Sequence, residues 1–203
     1  KQEVKLINGV GVKSKGRHKT YDNGAPTRVY ETWRRMIARC YCPKLRSQQT
    51  AYSDCSVDSD WLDFQVFAEW FESHEHGKTD YQLDKDILVN GNRVYSADTC
   101  CLVPRQLNNL LVSRHTGEEP YPQGVYFQKA LNKFSSRVSI DGKKKHLGCF
   151  LSADEAYQAY VIAKERYVKD KALEWQDRIE DKVFKALMSW KVGSDSSIGS
   201  NPL

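Results

Sequence analysis

Apolar residues recur at helical spacing in two segments of the first half of the chain. Tyr30, Trp33 and Ile37 follow Thr27 at three- and four-residue steps, which predicts a helix that Thr27 caps and that ends before Pro43. A second helix is predicted over residues 59–73. Its apolar face comprises Trp61, Phe64, Phe67, Ala68 and Phe71. Residues on one face of an amphipathic helix pack together, so we expect these aromatics to form a core.

Residues 83–111 have the pattern of a strand, a turn, a second strand and a short helix. The turn is Asn90-Gly91-Asn92, since Asn-Gly is a strong hairpin signal. The second strand covers residues 100–103, and the helix begins near Pro104.

Residues 124–150 contain three short strand candidates, the last two joined by Asp141-Gly142. Polar and apolar residues alternate over 133–140, as a half-buried strand requires. This places Phe134, Ser136, Val138 and Ile140 on one face and Ser135, Arg137 and Ser139 on the other. In the same register Lys144 and His146 join Arg137. The pattern predicts a small antiparallel sheet with one dry face and one basic face.

Two helices are predicted after the sheet. Ser152 caps the first, over 153–168, whose sheet-covering face holds Ala156, Tyr160, Ala163 and Tyr167. The second covers 173–191. The predicted fold class is α+β. The predicted organisation is a basic flexible arm (1–26), a strand–strand–helix domain with flanking helices (27–112), a linker (113–122), a sheet-and-helix domain (123–172), a C-terminal helix (173–192) and a disordered tail (193–203).

Composition indicates a chain that folds around a core. Of its 203 residues 40% are hydrophobic and 11% aromatic. No segment approaches the roughly 18 consecutive apolar residues of a membrane span, and the first residues lack the apolar run of a signal peptide. We therefore expect a cytoplasmic protein without a membrane partner.

Six cysteines are too few for a disulfide scaffold at this length, and we expect free thiols. Five of them lie in the first half, namely Cys40, Cys42, Cys55, Cys100 and Cys101. Structural Zn²⁺ is one interpretation, but Cys-x-Cys and Cys-Cys are not standard tetrahedral spacings. Buried core thiols are the favoured interpretation.

Charge is unevenly distributed. Residues 1–50 hold twelve Lys/Arg and three Asp/Glu, residues 51–90 hold two and ten, and residues 124–150 hold six and one. Basic segments that converge on one face are typical of proteins that bind nucleic acid, although a solvated surface explains the charge alone equally well. A narrow basic ribbon fits the major groove of double-stranded DNA, about 12 Å wide.

The second half resembles the APETALA/ethylene-response-factor (ERF) DNA-binding domain. The resemblance covers about 50 residues, from Gly124-Val125-Tyr126 through the basic hairpin and His146-Leu147-Gly148-Cys149-Phe150 to the Ala-rich helix. In that family the outward side chains of the sheet contact DNA. The implied contacts are Tyr126, Gln128, Lys133, Arg137, Ser139, Lys144 and His146. Gln128, Ser139 and His146 stand where Arg, Arg and Trp are usual, so the base preference does not transfer.

Residues 83–111 are similar to the ββα metal motif of HNH nucleases, including phage and intron proteins in which an HNH domain precedes an ERF-type domain. The similarity includes Leu83-Asp84-Lys85-Asp86, Gly91-Asn92, Val103-Pro104 and Asn108. It implies a single divalent cation, Mg²⁺ or Mn²⁺. The implied metal ligands are Asp84 and Asn108.

The same similarity implies that Asn92 is an orienting amide and that Lys85 stands where the proton-accepting His belongs. Lysine, with an ordinary pKa near 10.4, is charged at neutral pH and is a poor general base. Lys85 could instead hold a phosphate. Asp86, His74 or His76 are the candidate replacement bases.

Two functions follow from these resemblances. The first is a phage-type HNH endonuclease of the homing class, which hydrolyses DNA phosphodiesters with a divalent metal at a site chosen by the sheet. The alternative is a catalytically inactive, HNH-derived DNA-binding protein or transcriptional regulator. If the sheet is not the interface, the next candidate is the N-terminal arm with Lys13, Lys15, Arg17 and Lys19.

Overall fold

The structure is a computed structural model that describes residues 6–48, 54–75, 80–111 and 120–193. The chain divides into two compact units, one formed by the chain up to Arg105 and the other from Gln106 onward. Together they make a mixed α+β protein, as predicted. In the part of the chain that the structure describes, no helix is long and apolar enough to cross a membrane.

Three helices build the first unit. These are α1 (Arg28–Tyr41), α2 (Pro43–Gln48) and α3 (Phe64–Glu75). Thr27 caps α1 as predicted, since its side chain accepts from the backbone N–H of Tyr30. Pro43 lies beyond α1 but begins α2, because the first helical position does not use its N–H. The second predicted helix starts later than residue 59, because residues Asp60–Leu62 form a 3₁₀ turn.

The predicted aromatic face lies in the core of the first unit, which confirms that interpretation. Trp33 and Phe64 are fully buried, with ring centroids 5.6 Å apart. The indole Nε1 of Trp33 donates to the carbonyl of Trp61 over 2.8 Å, which satisfies its polar atom within the core. Aromatic packing of α1 against α3 therefore holds this unit together.

The predicted flexible arm is in part built into the first unit, because residues 12–18 bond to α3 and to the turn that precedes it. The backbone of Val12 pairs with Leu62 (2.8 Å) and with Phe64 (3.0 Å). Farther on, β1 (Tyr21–Asp22) and β2 (Ala25–Pro26) form a hairpin. Its turn is Asn23-Gly24, with φ of 49° and 81°, an Asn-Gly signal that sequence analysis overlooked.

Four short strands complete the first unit. They are β3 (Ser56–Val57), β4 (Tyr81–Asp84), β5 (Val94–Tyr95) and β6 (Cys101–Pro104). β4 and β6 are antiparallel, and α4 (Arg105–Leu111) follows at once, so the predicted order of strand, strand and helix is confirmed. The predicted tight hairpin is wrong. A long connection joins the two strands, and within it β5 pairs in parallel with β3 instead.

The second unit is a three-stranded antiparallel sheet packed on a helix. The strands β7 (Val125–Gln128), β8 (Lys133–Ile140) and β9 (Lys143–Phe150) lie in that order. Asp141-Gly142 joins β8 to β9 as predicted. Ser152 and Glu155 form a capping box at the start of α5 (Ala153–Glu174).

The end of the described chain differs from the prediction of one helix over 173–191. α5 continues to Glu174, the 3₁₀ turn Gln176–Arg178 follows, and α6 (Asp181–Ser189) packs against α5. Leu173 therefore belongs to α5, where it is exposed. The predicted linker residues 113–119 and the tail from 194 on lie outside the described residues.

Gly124 allows the sheet to lie close to α5. Its φ is +84°, and a Cβ added there would lie 2.3 Å from the ring of Tyr160 and 2.8 Å from the carbonyl oxygen of Arg137. A side chain would be blocked by backbone on one side and a buried ring on the other. Glycine is therefore required where the chain enters the sheet.

Candidate nucleic-acid interface and candidate metal centre

The strand register determines which residues of the sheet share a face. Directly paired residues point to the same side of a sheet. The pairs Arg137↔His146, Ser139↔Lys144, Tyr126↔Ser135 and Gln128↔Lys133 all belong to one side, which we call the outer face. All seven predicted contact residues therefore lie on the outer face. α5 packs against the sheet, and Val125 and Val138 of the opposite side are buried.

A β-bulge adds one residue to the outer face that sequence analysis missed. Ser136 pairs with Gly148 while Arg137 pairs with His146, so Leu147 is the extra residue. The bulge reverses the alternation, and Cys149 joins the outer face. Gly148, with φ of 142°, was the available signal, because a glycine inside a strand often marks a bulge.

Contacts within the outer face orient the guanidinium of Arg137 and the imidazole of His146. The guanidinium carbon of Arg137 lies 5.5 Å from the ring centroid of Tyr126, which is 49% exposed. His146 places Nδ1 3.3 Å from the hydroxyl of Ser135 and Nε2 3.8 Å from the sulfur of Cys149. Arg137 and His146 are exposed, whereas Ser135 on the same face is buried. The long side chains therefore project beyond the short, buried serine.

The tip of the β8–β9 hairpin is attached to α5. The carboxylate of Asp141 accepts from the hydroxyl of Tyr167 (2.9 Å) and pairs with the ammonium of Lys171 (3.0 Å). These hydrogen bonds, that of Lys171 first, lower the pKa of Asp141. The exposed lysines 143–145 follow directly, so an anchored turn presents them.

Asp84, the predicted metal ligand, shapes the loop after β4. Its Oδ1 accepts from the backbone N–H groups of Asp86 and Ile87, both over 2.8 Å. Burial raises the pKa of Asp84, and these two hydrogen bonds oppose the rise. The Oδ1 of Asp84 thus fixes the backbone of the residues that follow it.

Lys85 and Asn92 close the same loop. The side chain of Lys85 is only 6% exposed, and its ammonium donates to the Asp86 carboxylate (2.6 Å) and to the carbonyl of Asn92 (2.8 Å). The amide of Asn92 donates to the carbonyls of Lys85 (3.0 Å) and Val94 (2.6 Å). The amide of Asn92 thus orients the backbone of its own loop. The ammonium of Lys85 is buried and bonded within the same loop.

The other predicted members of the metal centre lie on other elements. Asn108 is half-buried on α4, in the second unit. The Nδ1 of His74 donates to the carbonyl of Trp70 over 2.7 Å, and its ring stacks on the Trp70 indole. His76 lies outside the described residues. Within the described ranges, no group of three or more His, Cys, Asp or Glu side chains is placed to hold a metal ion.

The cysteines of the first unit behave as core residues. Cys40, Cys55, Cys100 and Cys101 are buried, and all six cysteines are free. Burial raises the pKa of Cys40 and of Cys100 to about 12. Cys40, Cys55 and Cys100 lie in the hydrophobic core cluster, as the favoured interpretation expects.

The donor set around Asp84 does not fit a divalent metal centre. Asp84 gives one oxygen to backbone N–H groups, and a buried ammonium lies at the next residue. No protein-family model matches the chain, nor does any curated protein or solved structure. The functional assignment therefore depends on the geometry of the two units themselves.

Proposed function

We propose that the protein binds double-stranded DNA with the outer face of the β7–β8–β9 sheet in the major groove. The observation that carries the proposal is the convergence of seven polar and basic side chains on one exposed sheet face, while α5 covers the other. A twisted antiparallel sheet of three strands is a form in which strands enter a major groove. The second unit is then a domain of the ERF type.

The charge of the outer face supports this partner. Lys133, Arg137 and Lys144 contribute three positive charges, and the outer positions of the three strands include no Asp or Glu. The nearest acidic residue along these strands, Asp141, is paired with Lys171. The face is therefore complementary to the phosphates that line the groove.

The side chains of the outer face divide into two roles. Arg137 has the planar fork that bonds to O6 and N7 of guanine, and the Tyr126 ring holds it in place. Gln128 has the amide that pairs with N6 and N7 of adenine. Lys133 and Lys144 hold phosphates, which positions the sheet without selecting a sequence.

For the first unit we propose an HNH-derived fold that no longer cleaves DNA, the alternative function above. The hydrogen bonds of Asp84, Lys85 and Asn92 within their own loop support this choice. A nicking assay tests it. Supercoiled plasmid incubated with the protein and Mg²⁺ or Mn²⁺ is expected to stay intact. Nicking that disappears in Asp84→Ala would establish the endonuclease instead.

Binding is tested first by selecting bound sequences from a randomised duplex library and then by fluorescence anisotropy with the selected site. Arg137→Ala should weaken specific binding by about 1–3 kcal/mol, because it removes a base contact. The matched control is Arg166→Ala, which removes an exposed arginine of α5. Equal affinities of the two variants would remove the sheet as the interface.

A further inference from the structure

The loop of residues 13–21 is built onto α3 rather than hanging free. The side-chain amide of Gln65 accepts from the backbone N–H of His18 (3.0 Å) and donates to its carbonyl (2.9 Å). The hydroxyl of Ser14 donates to the carboxylate of Asp63 (2.6 Å). A Cβ at Gly16 would lie 2.2 Å from the amide oxygen of Gln65, so the loop lies directly on that amide.

Two side chains of this loop contact the carboxylates of α3. One guanidinium nitrogen of Arg17 lies 2.6 Å from both carboxylate oxygens of Glu69. The imidazole of His18, whose side chain is 4% exposed, lies 3.0 Å from Glu69 and 2.9 Å from Glu72. The hydrogen bonds from His18 and Arg17 lower the pKa of Glu69. Glu69 and Glu72 are thus bonded to Arg17 and His18 of the loop.

Three lysines of the loop line one open cleft. The cleft has a volume of about 510 Å³ and is lined by Lys13, Lys15, Lys19 and Tyr21. The side chain of Tyr21 is exposed. Lys19 has a distant pair with Asp22, 3.7 Å away. Among the described residues, Lys13 and Lys15 form no ion pair. Arg17 and His18 therefore contact α3, whereas the ammonium groups of the three lysines face solvent.

We infer that this cleft binds the phosphodiester backbone of nucleic acid, as a second contact surface that belongs to the first unit. The inference rests on the proposed function for the choice of DNA as the polyanion. Ammonium groups are point charges that hold phosphates without reading bases. Arg17, the one loop residue with a base-reading fork, is engaged by Glu69. The contact is therefore independent of sequence, unlike that of the sheet.

The salt dependence of DNA binding by the full chain tests this inference. The double variant Lys13→Ala/Lys15→Ala is compared with Lys182→Ala/Lys185→Ala, which removes the same charge from α6, where both lysines are ion-paired. The slope of log affinity against log salt, measured on a labelled mixed-sequence duplex, should become shallower by about 1.8 for the first pair, since each phosphate contact contributes about 0.9. The order of preference among duplexes should not change.

The other outcomes overturn the inference. An unchanged slope, or an equal change in the α6 control, means that the cleft does not hold phosphates. If Lys13→Ala/Lys15→Ala instead abolishes binding to phosphatidylserine vesicles and leaves the DNA slope intact, the surface binds membranes. Lys13→Arg/Lys15→Arg should restore the slope. If the wild-type chain binds no duplex, the proposed function fails. If the wild-type chain binds and the slope is unchanged in Lys13→Ala/Lys15→Ala, only the inference about the cleft fails.

Discussion

The two units use the same kinds of polar residue in opposite ways. In the first unit Asp84, Lys85 and Asn92 bond to the backbone of their own loop, and the side chain of Lys85 is 6% exposed. In the second unit Arg137 and Lys144 are exposed on the outer face of the sheet. Charged residues near a motif therefore differ in role. A side chain that is already hydrogen-bonded within the protein stabilises the fold, whereas an exposed side chain can contact a partner.

The hydrogen bonds of the loop after β4 also support the proposal that the first unit no longer cleaves DNA. A general base must reach a proton on its substrate, and a metal ligand needs free lone pairs. Asp84 gives Oδ1 to two N–H groups, while Lys85 gives its ammonium to Asp86 and Asn92. The outer face of the sheet has no such internal demand on its long side chains.

The largest expected effect comes from Gly124→Ala, which breaks the second unit. Alanine at φ +84° is strained, and its Cβ would meet Tyr160 and the carbonyl of Arg137. We expect a loss of about 3 kcal/mol in the free energy of unfolding. Gly24→Ala in the first unit has similar φ but open space, and should cost about 1 kcal/mol. Urea unfolding measures both, and equal costs would contradict the close sheet–helix contact.

The second prediction compares one lysine from each unit. Lys85→Met keeps the stem but leaves the Asn92 carbonyl and the Asp86 carboxylate without their donor, at a cost of about 1–3 kcal/mol. Lys144→Met, on the exposed face, should stay within about 0.5 kcal/mol of wild type. DNA affinity should respond in the reverse order. Thermal melts measure the stability of both variants, and fluorescence anisotropy measures their DNA affinity. A Lys85→Met protein as stable as wild type would contradict the prediction.

The third prediction concerns the pH dependence of stability at Asp84. The folded chain holds this proton more tightly than the unfolded chain, so wild-type stability declines as pH rises from the unfolded pKa near 3.9 through the raised folded pKa. Asparagine can accept the same two backbone hydrogen bonds without titrating. Asp84→Asn should therefore match wild type at low pH and exceed its melting temperature at pH 7. A less stable Asp84→Asn at pH 7 would show that the carboxylate itself is needed.

The smallest effect is expected at Asp141, with the opposite sign. Its folded pKa is lowered, so its contribution to stability is complete above the unfolded pKa and is lost as pH falls through the folded value. Asn tolerates the positive φ of 47°, which isolates the charge. Asp141→Asn should melt below wild type at pH 7, and the gap should close in acid. A gap that persists in acid points to the turn instead of the ion pair.

Local signals predicted most of the elements. Thr27 and Ser152 are caps whose side chains bond within their own first turn, and Asp141-Gly142 is a turn that two residues define. Alternation along β8 placed the outer face correctly, because side-chain direction in a strand depends only on position. Asn90-Gly91 misled the prediction, since a turn signal does not say whether its flanking segments pair with each other.

The amino-acid sequence alone predicted α1, α3, α5, the β8–β9 hairpin and the basic sheet face, because each depends on neighbours a few residues apart. Three features needed the tertiary structure. These are the burial of Lys85, the contacts of residues 12–18 with α3 and the turn before it, and the bulge that brings Cys149 to the outer face. Each depends on partners far along the chain or on another strand. Whether a polar side chain is bonded or available is decided only when those partners meet.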